Sequence, residues 1–195
     1  MKRFALFGLV VAVLAIAIGS HSIVSAQQPE MKMPTPTKEH EWLGQLVGEW
    51  DSDMEAVMQP GQPPMKCKGT ESVRKLGGFW VIGQGQGEMM GMKVQSVMTL
   101  GYDVNKKKYV GTWVDSMQNH MWKYEGTVDE AGKVLTLETE GPNMMTGGMS
   151  KFRDVIEVKG KDQKELRSMI QMPDGKWFTF ATAKYTRKAP AGARE

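Results

Sequence analysis

From Trp50 to Arg187 the apolar residues of this chain recur at every second position in short runs, and the runs are separated by turn signals. Period two is the pattern of a strand with one buried face, and it excludes a helical fold. Met92, Val94, Ser96, Met98, Leu100 and Tyr102 share one face, as do Tyr109, Gly111 and Trp113, and then Trp122, Tyr124, Gly126 and Val128. Turn chemistry sits between the runs at Pro60-Gly61-Gln62-Pro63-Pro64, Leu76-Gly77-Gly78, Asp129-Glu130-Ala131-Gly132 and Pro173-Asp174-Gly175-Lys176. The cadence predicts about ten strands with short connections. Short connections favour antiparallel neighbours, and an unbroken meander favours an up-and-down barrel over a Greek-key sandwich. The expected fold is therefore all-β, an up-and-down antiparallel β-barrel with one short helix capping an end.

That helix precedes the first strand. Thr37 is a suitable N-cap, Glu39 and Glu41 bring negative charge to the first turns, and Trp42, Leu43 and Leu46 form the apolar stripe. Gly48 is expected to stop it, and Gly48-Glu49-Trp50 leads into the first strand. Upstream, Lys2 and Arg3, the apolar run from Phe4 to Ile18 and Val24-Ser25-Ala26 have the three-part pattern of a secretory signal. The expected organisation is a signal peptide over 1–26, a proline-containing disordered leader over 27–36, a single barrel domain over 37–188 and a flexible tail over 189–195. The expected location is the periplasm or the extracellular space, with no membrane association once the signal is removed.

Without Lys2 and Arg3 the 25 basic and 22 acidic residues come close to balance. No basic block interleaves with aromatics, so the footprint of a nucleic-acid-binding protein is missing. Cys67 is the single cysteine and forms no intrachain disulfide; it reads as a small strand residue, with a reactive thiol or a disulfide-linked dimer as the alternative. A monomer or weak dimer is expected.

His40-Glu41-Trp42-Leu43 with Gly48-Glu49-Trp50, then Leu76-Gly77-Gly78-Phe79-Trp80, then Leu100-Gly101-Tyr102-Asp103 resemble, in this order, the bacterial family known as domain of unknown function 1579. That family is regarded as calycin-like, related to lipocalins and fatty-acid-binding proteins. The resemblance implies a barrel with an internal cavity and no particular reaction. It also implies a basic residue from the last strand packed over Trp50, for which Lys184, Arg187 and Lys188 are available.

Candidate ligand-binding residues are the strand aromatics Trp50, Trp80, Tyr102, Tyr109, Trp113, Trp122 and Tyr124, with Gln84 and Gln86 as polar points. Large rings beside Ser96, Gly111 and Gly126 either shape a pocket or fill a core. The 17 methionines cluster at Met31-x-Met33, Met89-Met90-x-Met92 and Met144-Met145-x-x-x-Met149. Thioethers suit an adaptable core or cavity lining; the sharper alternative is Cu(I), with His120 adding a ligand. His40 and His120 are too few for a histidine-rich zinc site, and His120 reads as a loop residue rather than a haem ligand. No metal and no cofactor is expected. No nucleophile motif appears, and Gly83-x-Gly85-x-Gly87 has neither the helix nor the Lys-Ser/Thr pair of a phosphate loop. Three functions remain open: a carrier of a small hydrophobic or amphipathic ligand, an enzyme using Glu88 or Asp115 as the acid–base group, and a filled-core structural or interaction domain.

Overall fold

The structure, a computed structural model, describes residues 33–189 except 58, 60 and 145. The expected signal segment, residues 27–32 of the leader and the tail beyond 189 lie outside the described residues. Pro36, assigned to the leader, lies against Gly78, where an added Cβ would come within 2.4 Å of its ring.

Ten strands form a closed barrel: β1 (Gly48–Ala56), β2 (Met65–Leu76), β3 (Trp80–Met89), β4 (Met92–Asp103), β5 (Lys108–Asp115), β6 (Trp122–Val128), β7 (Val134–Pro142), β8 (Met149–Gly160), β9 (Gln163–Gln171) and β10 (Trp177–Arg187). Each pairs antiparallel with the next, and β10 pairs back to β1. This is the expected up-and-down barrel, and closure leaves no unpaired sheet edge. In β10 the register slips between Thr179 and Ala181, a bulge that admits one extra residue.

The helical segment is α1 (Lys38–Trp42) followed by a 3₁₀ turn at Leu43–Leu46. Thr37 is the N-cap, and its backbone N–H donates to His40 Nδ1 at 3.0 Å. Gly48 does not cap this helix. Val47 ends it in an extended conformation, and Gly48 opens β1 at φ +143°, a conformation that favours glycine.

The segment plugs one end of the barrel. The Trp42 indole donates to the Gly132 carbonyl at 2.7 Å, and the Tyr109 hydroxyl donates to the Glu39 carbonyl at 3.1 Å. His40 stands edge-on to Phe79 and Tyr102, with ring centroids 5.2 and 5.7 Å away. Leu43 and Leu46 drop into a core with Trp50, Leu100, Leu135 and Leu137. Burying each such side chain contributes about 1.5–3 kcal/mol.

Trp50 is the hinge-pin of this end. Its indole donates to the Leu46 carbonyl at 3.0 Å, and the Arg187 guanidinium lies 4.1 Å from its ring centroid. Arg187 also donates from Nη1 to the Val47 carbonyl and from Nε to the Lys161 carbonyl, both at 2.7 Å. One guanidinium thus joins the plug, β1, β10 and the β8–β9 turn, and it is the basic residue over the tryptophan that the family resemblance implied. Gly48 makes room for it: a Cβ at that position would lie 1.9 Å from Arg187 Nη1.

Arg187→Ala is expected to lower unfolding stability by about 2 kcal/mol, because it removes two charge-assisted hydrogen bonds and a cation–π contact. Arg187→Lys should recover part of the loss, since a lysine keeps the charge and not the fork of donors. Gly48→Ala should cost at least as much as Arg187→Ala, through both its backbone conformation and the contact with Arg187. Urea unfolding of the three variants checks the ordering.

Candidate functional site

Alternation along the strands divides the barrel interior into two halves. In the half nearest the plug, inward side chains such as Val73, Val81, Leu100, Leu135, Leu137 and Ile156 are buried and packed. In the other half many inward side chains are partly exposed, although Trp122, Thr139 and Ile170 are buried, and no described element covers that end. Its β1–β4 wall carries small residues next to the middle of the barrel, Ser52, Gly69, Gly85, Gly87 and Ser96, with Met54, Cys67 and Val94 on the same phase. Its opposite wall is aromatic. Trp122 stands edge-on to Phe152 at 4.8 Å, Phe152 edge-on to Phe180 at 6.1 Å, and Trp113 pairs across the strands with Trp122. Phe178 and Phe180 both belong to this wall because the β10 bulge lets consecutive alternate residues enter the lumen before the phase resets at Ala181, which pairs with Ser168.

A polar layer separates the two halves. Lys164 pairs with Glu71, and its ammonium lies 4.7 Å from the Trp50 ring centroid and 4.6 Å from that of Tyr185. Burial pushes the Lys164 pKa down, against the opposing pull of Glu71. The Tyr124 hydroxyl donates to Asp154 at 2.6 Å, and Ser168, the cross-strand partner of Asp154, also bonds its carboxyl. Desolvation raises the Asp154 pKa in spite of these two bonds, which lower it. Burial likewise pushes the Tyr124 and Tyr185 phenols up, with the charge of Asp154 adding to both. A void of about 30 Å³ lies under the layer, among Glu71, Lys164, Gly83, Met98 and Leu100. It has room for a single water molecule. The layer therefore sets an ammonium, two carboxyls and two phenols, each buried or half-buried, between the packed half and the partly exposed half.

The nine candidate residues fall in three places. Trp113, Trp122 and Tyr124 line the open half or its floor. Trp50, Tyr102 and Tyr109 belong to the plugged end: Trp50 under Arg187, Tyr102 against His40, and Tyr109 bonded to α1. Trp80, Gln84 and Gln86 are exposed on the outer wall and correct the expectation that they face the pocket. On β3 the inward phase is Val81, Gly83, Gly85 and Gly87. Trp80 instead lies flat over its cross-strand partner Gly101, where a Cβ would come within 2.4 Å of the ring.

The two carboxylates weighed for acid–base work do not face the floor either. Glu88 is exposed on the outer wall, and Asp115 accepts hydrogen bonds from the Met117 and Gln118 backbone in the β5–β6 loop. A concavity of about 750 Å³ on the outer wall of β1–β4 includes Asp51, Asp53, Lys68, Gln86, Glu88 and Lys93. Its charges point to solvent and partly pair with one another, as Lys68 does with Asp53 at 3.5 Å. Cys67 faces the lumen beside Met54. His120, read as a loop residue, is partly buried with its ring edge-on to Trp122 at 5.0 Å, and its Nε2 has no hydrogen-bond partner among the described residues. Among the described residues no cluster of three or more His, Cys, Asp or Glu is arranged to hold a metal ion.

Sequence reading missed Asp154, Lys164, Glu71, Ser168, Tyr185 and the phenylalanines of β8 and β10. The signal for two of them was present: Phe152-x-Asp154-x-Ile156-x-Val158 and Lys164-x-Leu166-x-Ser168-x-Ile170 each place a charge in an apolar phase.

Comparison with known proteins agrees with this architecture. A phycobiliprotein lyase of S type, CPES from Guillardia theta, superposes with a TM-score of 0.54 at 13% identity, covering 81% of this chain and 100% of the other. Rv2717c from M. tuberculosis superposes with a TM-score of 0.57 at 14% identity, covering 80% and 100%. At these identities the likeness is one of fold, a calycin-like barrel. No curated protein matches the chain. The family described as "Protein of unknown function (DUF1579)" matches residues 35–187, motifs and plugged barrel together, and the chain belongs to that family.

Proposed function

We propose that the protein is an exported carrier that holds a small hydrophobic or amphipathic molecule in the open half of its lumen. The carrying observation is the contrast between the two halves. One is filled with buried leucines and tryptophan; the other sets the partly exposed rings of Trp113, Phe152 and Phe180 across from a belt of glycine and serine that is itself partly exposed, with Met54 and Cys67 nearer the mouth. Small side chains opposite large rings leave space that an apolar body fills by contact with Trp113, Trp122, Phe152 and Phe180. The polar layer beneath gives such a molecule a place for its head: the hydroxyls and carboxyl of Tyr124, Ser168 and Asp154 are hydrogen-bonding groups, and Lys164 supplies a positive charge. Export is supported by the charged start, apolar run and small residues of the first 26 positions.

A second reading makes the same lumen an enzyme site. It moves from Glu88 and Asp115 to Asp154, whose raised pKa and contact with Tyr124 suit a general acid. In the carrier reading Asp154→Asn keeps a bound molecule and its fate unchanged; in the enzyme reading it traps the molecule unconverted.

Native mass spectrometry of residues 27–195, purified from an exporting host without detergent, is expected to show an added mass that is lost on denaturation. A clean apo mass that stays unchanged after incubation with a lipid extract counts against the proposal. With 1-anilinonaphthalene-8-sulfonate as probe, Phe152→Ala should weaken binding by about tenfold, the worth of one lost aromatic contact. Gln84→Ala, on the outer wall, should leave it unchanged.

The floor also sets a pH dependence. Because the folded-state pKa of Asp154 is raised above its ordinary value of 3.8, the folded protein holds that proton more tightly than the unfolded chain. Its contribution to stability is full below that value and falls as pH rises through the raised folded-state pKa. Asp154→Asn should therefore be more stable relative to the wild type at neutral pH than at low pH, and urea unfolding across the acid range reads the difference.

A further inference from the structure

The barrel topology gathers the methionine clusters at one place. Strand direction puts the β1–β2, β3–β4, β5–β6, β7–β8 and β9–β10 loops at the open end, around the lumen mouth, and the other four turns at the plugged end. Met90, Met92, Met117, Met121, Met144 and Met149 all sit in or beside mouth loops, with exposures of 46% to 84%. Met90 even holds a φ of +54° in a two-residue turn with Gly91, a position that asparagine or glycine occupies at lower cost.

Charge is distributed the other way. In the mouth loops, residues 57–64, 90–91, 116–121, 143–148 and 172–176, only Asp174 and Lys176 are charged, and they pair with each other at 3.3 Å. The shorter turns at the plugged end carry Lys106, Lys107, Asp129, Glu130, Lys133, Lys161 and Asp162. Just below the mouth the outer wall becomes charged again, with both signs side by side. Lys66 pairs with Glu55 at 3.4 Å, and Glu88 faces Lys93 across β3 and β4.

We infer that the mouth is a docking face for a lipid bilayer of zwitterionic headgroups, with the methionine loops in the acyl boundary and the paired charges at headgroup level. This deepens the carrier reading and rests on it: the lumen opens on the face that meets the lipid, so an apolar molecule enters or leaves without crossing water. Uncharged tips avoid the cost of moving a charge out of water, and exposed thioethers gain by burial. Adjacent charges of opposite sign match a headgroup carrying both signs and give no preference for an anionic surface. This departs from the expectation of no membrane association after signal removal. The contact is peripheral; no described helix is long and apolar enough to cross a membrane.

The test is flotation of residues 27–195 with phosphatidylcholine vesicles. The wild type is expected to co-float, equally at low and high salt. Met90→Asp with Met144→Asp should reduce the partition coefficient by about tenfold or more. Aspartate suits the backbone at residue 90, so folding is preserved. Leu76→Asp, at an exposed position of the plugged end (52%, against 75% for Met90 and 84% for Met144), should partition like the wild type. Binding of 1-anilinonaphthalene-8-sulfonate in vesicle-free buffer separates this inference from the carrier reading. If the wild type binds the probe and ignores vesicles, the docking face is overturned and the carrier stands. Loss of flotation in Leu76→Asp equal to that in the double variant also overturns the docking face. If neither probe nor vesicle is bound, both readings fail.

Discussion

The packing of one guanidinium on one indole organises the plugged end. Trp50 and Arg187 face each other across β1 and β10, the strands whose pairing closes the barrel. The same guanidinium holds the end of the 3₁₀ turn and the β8–β9 turn. Barrel closure and plug seating are therefore one event rather than two. Gly48 belongs to it by default, because any side chain there would occupy the guanidinium's place. A chain whose termini are far apart in sequence needs a device of this kind, since pairing the first and last strands carries the largest loop-closure cost of any contact in the fold.

The interior above that latch changes character through the polar layer. Charged and phenolic groups at mid-barrel are costly to bury unless they bond one another, and Glu71 with Lys164, and Asp154 with Tyr124 and Ser168, do so. Below them the packing is that of an ordinary hydrophobic core. Above them the walls differ from each other, with glycine and serine on one side and aromatic rings on the other.

Much of the fold was legible because period two, turn chemistry and the absence of long connections all pointed to one architecture. The helix and its Thr37 cap were legible too, while the basic partner of Trp50 was implied only by the family resemblance and was placed at Arg187 by the structure. What sequence did not reveal was the sense of each strand. Alternation says that Trp80, Gln84 and Gln86 share a face, but not that this face is outside. A tryptophan covering a cross-strand glycine on the outer wall resembles a core residue in sequence. The polar floor was hidden for a related reason: Lys164 follows a charged turn and reads as solvated until its partner, 93 residues away in Glu71, is brought opposite. Asp115 sat in the correct phase, yet its oxygens are occupied by the loop that follows it.

The bulge in β10 has a further meaning. Arg187 must face inward to reach Trp50, and strict alternation from that point would turn Phe178 and Phe180 to the outside. One supernumerary residue reconciles the two demands and lets a single strand serve as both latch and lining. It also insulates them. The phase of the aromatic end of β10 is thereby set independently of the arginine end, so a change in the size of Phe178 or Phe180 leaves the register that seats Arg187 on Trp50 untouched.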